Sequence, residues 1–140
     1  MIKEKSCGAV VYKVINNEIY YLLEYMSMGH ISLPKGHVEE NETEVQTALR
    51  EIKEETNLNV IINSNFKEII TYSPRDGVIK DVIFFVAEVV DDNTPLDLHD
   101  NEVEKSVFLK FDEAYQLLTH NSDKDVLRKA NDYIRGKLYE

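Results

Sequence analysis

With 140 residues, 43% of them hydrophobic and 30% charged, the chain has the size and composition of one folded domain over residues 1–140 and excludes a disordered tail. A formal net charge of −10 excludes a surface built to neutralise duplex nucleic acid, and an anionic substrate would need a local cationic device, such as a divalent ion held by carboxylates. No apolar run nears the ~20 residues that span a bilayer, Met1 to Lys5 lacks the apolar core of a secretory signal, and Cys7 alone cannot form an internal disulfide, so a cytoplasmic protein off the membrane is expected.

Ser6 to Val14 and Ile19 to Tyr25 are rich in β-branched and aromatic residues, and Asn16-Asn17 favours a turn between them, which predicts a β-hairpin. Met26 to Lys35 contains Gly29, Ser32 and Pro34 with no sustained period and reads as a loop leading to Gly36. From Thr43 onward, Val45, Ala48, Leu49, Ile52 and Thr56 recur at spacings of three and four, the apolar stripe of a helix. Thr43 with Gln46, or Asn41 with Glu44, could supply a capping box at its start. Asn57 stands where the helix should stop, because Asn tolerates the left-handed backbone of a C-cap.

Residues 66–72 and 78–90 read as strands separated by the turn-prone Ser73-Pro74-Arg75-Asp76-Gly77. Both alternating faces of Val82 to Ala87 are apolar, so this strand is expected in a sheet covered on each side by helices. A polar loop from Asp91 to Lys105 leads to a short strand, Val107 to Leu109. Two helices follow: one after Asp112, carrying Ala114, Leu117 and Leu118, and one capped near Ser122 or Asp123, carrying Val126, Leu127, Ala130, Tyr133 and Ile134. There is no internal repeat or low-complexity segment.

The chemistry concentrates in Arg50-Glu51-Ile52-Lys53-Glu54-Glu55. At 100° per residue, Glu51, Glu54 and Glu55 share an arc of roughly 100° beside the apolar stripe. Three like charges so close repel one another, and a helix face with no other purpose would alternate them with lysines, so a bound cation is expected. A solvated surface would be the ordinary reading of a lone Glu-Glu pair. Here a glycine precedes the helix, Glu42 stands in the approach loop, and Arg50 is placed to pair with Glu54 one turn on.

Gly36 to Glu42, Thr43 to Leu49 and Arg50 to Leu58 together resemble the Nudix box, G-x5-E-x7-R-E-U-x-E-E-x-G-U with U aliphatic. One fixed position departs: Asn57 replaces the last glycine, a substitution that the left-handed turn there tolerates. The resemblance implies an α/β/α sandwich with a mixed β-sheet and a loop-helix-loop motif. It also implies Mg²⁺ or Mn²⁺ as cofactor, and hydrolysis of a phosphoanhydride in a small-molecule substrate built on a nucleoside diphosphate. Glu51, Glu54 and Glu55 would supply the metal ligands, with the Gly36 carbonyl, and Arg50 would orient them. Glu54 is the first candidate to orient or deprotonate the attacking water, and Glu102 the second.

Leu33 to Val38, Ser6 to Val10, Lys80 to Glu88 and Phe108-Leu109 with Glu113-Ala114 are similar to the asymmetric diadenosine tetraphosphate hydrolases of the animal and archaeal type. That similarity implies cleavage to ATP and AMP, with His30, Lys35 and Lys80 binding phosphate and Tyr72 stacking on adenine. Each has a plainer alternative: an exposed lysine at Lys35, a strand-end lysine at Lys80, sheet packing at Tyr72. Ile31 and Ser106 stand where that group carries aromatic residues, and Pro74 resembles a proline of ADP-ribose pyrophosphatases at slightly different spacing. Two other readings therefore stay open. One is a Nudix hydrolase for an oxidised nucleoside triphosphate, ADP-ribose or an RNA 5′ end; the other is a non-catalytic nucleotide-binding module. Whether the protein is a monomer or a dimer is not fixed by the sequence.

Overall fold

The computed structural model describes residues 1–90 and 102–139. The first two strands are β1 (Ile2–Ile15) and β2 (Glu18–Met26), the expected hairpin. They turn at Asn16 and Asn17, whose φ values of 52° and 67° give the double left-handed geometry of a tight two-residue hairpin. The segment expected to be a plain loop contains two short strands, β3 (Ile31–Ser32) and β4 (Lys35–His37). Strand β4 is drawn onto β1 by pairing of Ser6, Cys7 and Gly8 with His37, Gly36 and Lys35. A Cβ on Gly8 would collide with the Pro34 carbonyl and with Lys35, so the approach needs a glycine there, and local pattern gives no sign of it.

The helix α1 (Glu44–Thr56) is followed by β5 (Val60–Tyr72) and β6 (Val78–Val89). Strand β5 begins six residues before the expected boundary, and its pairing with β6 is irregular between Asn63 and Glu68. Strand β7 (Val103–Lys110) starts four residues earlier than expected, because its whole length pairs antiparallel with β2. The helices α2 (Phe111–Leu117) and α3 (Asn121–Leu138) complete the order. Residue His120 is the N-cap of α3, without a side-chain cap bond, so neither Ser122 nor Asp123 plays the expected capping part. Among the described residues no helix is long and apolar enough to cross a membrane.

All these strands join one mixed sheet with the main order β3-β2-β1-β6-β5, in which β1 and β6 run parallel and the other pairs antiparallel. Its period of two sorts side chains into two cores. Val10, Leu23, Val82, Phe84 and Val86 pack with Ala114, Leu118, Val126, Leu127, Ala130 and Ile134 of the C-terminal helical layer. On the opposite face, Cys7, Ala9, Val11, Ile83, Phe85 and Ala87 pack with Ala48 and Ile52 of α1. The two-faced apolar strand at Val82 to Ala87 is thus sandwiched between helices, and burial of a side chain such as Phe84 stabilises the fold by about 1.5–3 kcal/mol. The Ala48-Ile52 stripe fixes the rotation of α1 and seats Glu51 against Gly36 of β4.

Candidate active site

Helix α1 is anchored at both ends. The Gln46 N–H donates to Thr43 Oγ1 at 3.1 Å and the Thr43 N–H to Gln46 Oε1 at 2.9 Å, which makes Thr43-Gln46 the capping box. Asn57 adopts φ 64° and its N–H donates to the Lys53 carbonyl, so the left-handed stop is as expected.

Arg50 organises the loop before the helix. Its Nε donates to Glu42 Oε2 at 2.6 Å and its Nη2 to Glu42 Oε1 at 3.0 Å and to the His37 carbonyl at 2.9 Å. Its Nη1 donates to Glu51 Oε1 at 2.8 Å and to Glu54 Oε2 at 3.3 Å. The expected pairing with Glu54 exists, but as the longest of these bonds; the two-pronged grip is on Glu42, in the geometry that a guanidinium matches best. Glu42 also accepts from Thr47 Oγ1 at 2.8 Å and from the Glu39 N–H at 3.0 Å. Arg50 first, and the backbone donor next, hold the Glu42 carboxyl down at about 2, while Glu42 raises the guanidinium further above its ordinary value.

The Glu51 carboxylate lies so close over Gly36 that a Cβ there would overlap it. Gly36 has no positive φ, so the requirement is for space rather than for backbone freedom. Glu55 is 3% exposed, and its Oε2 has no hydrogen-bond partner among the described residues. Burial, and next the adjoining Glu24 carboxylate, push the Glu55 carboxyl far above the usual range; Glu51 adds to the shift. Glu24, on β2 and 1% exposed, is a member of this cluster that the sequence reading missed. Its signal was an acidic residue inside a strand that buries Tyr21, Leu22 and Leu23 alike.

Among the described residues no three acidic, His or Cys side chains are already disposed around one point to hold an ion. Arg50 pairs with both Glu51 and Glu54 and supplies their counter-charge. The donor set still fits a hard divalent cation. Glu55 Oε2 is buried without a donor, the Glu24 and Glu51 carboxylates lie against Glu55, and Gly36, bare of a side chain, lets the Glu51 carboxylate sit against its backbone.

This cluster borders a cleft of about 390 Å³ lined by Gly36, Glu24 and Glu55 and also by His30, Lys35, Lys80 and Glu102. Glu102 is brought there by β7, with its carbonyl accepting from the Ser27 N–H at 2.8 Å. Lys80 is 8% exposed, and burial, then the neighbouring Lys35, lower its pKa from the ordinary value. A larger cavity of about 520 Å³ shares His30, Ser32 and Lys35 with the cleft and adds Tyr72, Ile70, Val82, His120 and Asp123. All four residues expected at phosphate or base, His30, Lys35, Tyr72 and Lys80, therefore line one continuous surface beside the carboxylates. Sequence reasoning missed His120, whose ring lies 5.9 Å from that of His30, and the buried Asp123. His99, to which the sequence gives no role, lies outside the described residues.

A mixed sheet between helical layers, with a carboxylate-bearing helix seated on a glycine of the sheet, defines a protein of the α/β/α sandwich class. The NUDIX domain profile matches residues 8–130, and the chain belongs to the NUDIX family of hydrolases. It is 33% identical over 141 residues to the asymmetrical bis(5′-nucleosyl)-tetraphosphatase of Rattus norvegicus, covering 93% of this chain and 95% of that one. The enzyme of the same name from Caenorhabditis elegans is 29% identical over 138 residues, covering 94% and 97% of the two chains. The crystal structure of a C. elegans Ap4A hydrolase binary complex superimposes with a TM-score of 0.86 at 28% identity, over 95% of this chain and 98% of that one. The NUDIX domain of Shewanella oneidensis NrtR complexed with ADP ribose, at 17% identity and a TM-score of 0.74, shares the fold. Both the family and the α/β/α fold expected from the box are borne out, and the chain is closely related to the asymmetric Ap4A hydrolases.

Proposed function

We propose that this chain, acting as one domain over residues 1–140 on a small-molecule nucleotide in the cytoplasm, hydrolyses diadenosine tetraphosphate asymmetrically to ATP and AMP. The observation that carries the reading is the continuity of the carboxylate cleft with the Tyr72 cavity through His30, Ser32 and Lys35, which gives phosphates and a nucleoside adjoining surfaces. The relatedness to the rat and nematode tetraphosphatases supports it.

In this reading Lys35 and Lys80 hold the phosphate chain with His30, and the half-exposed Tyr72 ring offers a stacking face for adenine. Glu51, Glu54 and Glu55, with the Gly36 carbonyl, would hold Mg²⁺ or in its place Mn²⁺. The ion when bound offsets phosphate charge, polarises phosphorus and acidifies water. Arg50 is a positioning residue that fixes Glu51 and Glu54. Glu54, whose side chain is 57% exposed, orients the attacking water and takes its proton; Glu102, across the cleft, is the second candidate. Water oxygen bonds to phosphorus, one P–O–P linkage breaks, and the proton passes through the carboxylate to solvent.

The test compares kcat/KM on diadenosine tetraphosphate, ADP-ribose and an oxidised nucleoside triphosphate. Diadenosine tetraphosphate should be cleaved fastest, and a faster reaction on either competitor overturns the substrate. Replacement of Glu54 by Gln should lower kcat by roughly 10²–10⁴-fold with the fold intact; near wild-type turnover would remove Glu54 from its role and leave the metal site standing.

A further inference from the structure

Asp123 is the third residue of α3 and only 6% exposed, yet it lines the 520 Å³ cavity. No hydrogen bond or ion pair from the described residues reaches its carboxylate. An acidic residue in a first helical turn gains from the helix dipole, but it gains that at the surface as well, without the cost of desolvation. The charged and titratable groups around Asp123 are Lys35, His120, His30 and Tyr72, and burial outweighs Lys35 and His120 so that its carboxyl pKa is raised. The carboxylate is not sealed from solvent but faces the cavity of ligand size that it lines, where it can accept from a donor that a ligand supplies.

The position of the two cavities decides which part of a nucleotide that is. His30, Ser32 and Lys35 are common to both, whereas His120, Ser122 and Asp123 belong to the larger one alone. The part of a nucleotide furthest from its phosphates is the base. The same cavity offers a flat base the Tyr72 ring and the Ile70 and Val82 side chains. A carboxylate accepts N–H donors, and the edge of adenine carries one such group, its exocyclic amine.

We propose that Asp123 is a specificity-determining residue that accepts a hydrogen bond from the exocyclic amine of the purine seated in the Tyr72 cavity. The inference rests on the reading of that cavity as the nucleoside site, and its test is binding rather than turnover, so that the two can fail separately. Calorimetry compares AMP with purine riboside 5′-monophosphate, which lacks only the amine, and with 2′-deoxy-AMP, which lacks a ribose hydroxyl. The wild-type protein should bind AMP roughly tenfold or more tightly than the amine-free analogue. In Asp123→Leu that ratio should fall to about one with no loss of thermal stability, and Asp123→Asn, which keeps an acceptor oxygen, should retain part of it. A role confined to the helix end would lower the melting temperature and leave the ratio unchanged. Equal binding of the two purines by the wild type, which needs no variant, overturns the proposal. So does an unchanged ratio in Asp123→Leu, a preference that tracks the 2′-hydroxyl instead, or absence of binding by any of the three.

Discussion

Replacing Gly36 by Ala puts one methyl group into the space that the Glu51 carboxylate occupies. All three carboxylate atoms would then lie nearer the new Cβ than atoms approach in real structures, and the carboxylate must retreat by about 1 Å or more to regain ordinary contact. Retreat is opposed by the 2.8 Å bond from Arg50 to Glu51 Oε1 and by the packing of Ile52, 0% exposed, one residue on. Overpacking of this kind costs about 1–3 kcal/mol of stability. A displacement of about 1 Å in a metal-binding carboxylate costs about 10²-fold in rate. The expected outcome is a variant that folds, melts several degrees lower, and turns over diadenosine tetraphosphate about a hundred times more slowly at saturating Mg²⁺. Thermal melts and initial-rate kinetics measure both. Turnover within twofold of wild type with an unchanged melting temperature would refute the claim that Glu51 is held against Gly36 for catalysis.

Other perturbations test other links. Arg50→Lys keeps the charge but loses the two-pronged grip on Glu42, and should cost about 2 kcal/mol in urea unfolding together with a large fall in kcat. Because the folded-state pKa of Glu42 lies near 2, below its ordinary 4.5, the stability it contributes is complete above pH 4.5 and is lost as pH falls through about 2. Stability of the wild type should therefore drop more steeply than that of Glu42→Gln across that window, and parallel curves would contradict the assignment. At the left-handed helix stop, Asn57→Ala should cost about 1 kcal/mol and Asn57→Gly nothing or less, with kcat unchanged in both.

What the sequence made legible was what local physics decides. The capping box at Thr43, the left-handed Asn57, the Asn16-Asn17 turn and the two-faced apolar strand at Val82 to Ala87 each follow from side-chain chemistry within a few residues, and each is found in place. Helical spacing put Glu51, Glu54 and Glu55 on one arc of α1; in the structure Glu51 lies against Gly36, Glu55 is buried beside Glu24, and Glu54 is exposed. What escaped was set at long range. Glu24 reaches Glu55 only because β2 lies beside β1 in the sheet, and strand β4 exists only because Gly8 admits Lys35. Arg50 was expected to hold a residue one turn along its helix, whereas Glu42, eight residues back, offers two aligned oxygens. Asp123 and His120 join the cavity through the seating of α3 on the sheet, which no window of sequence contains.

The most direct test of the account is the identity of the first products formed from diadenosine tetraphosphate with Mg²⁺, separated by ion-exchange chromatography before any secondary cleavage. Equimolar ATP and AMP are predicted, and ADP as the only product would contradict the account.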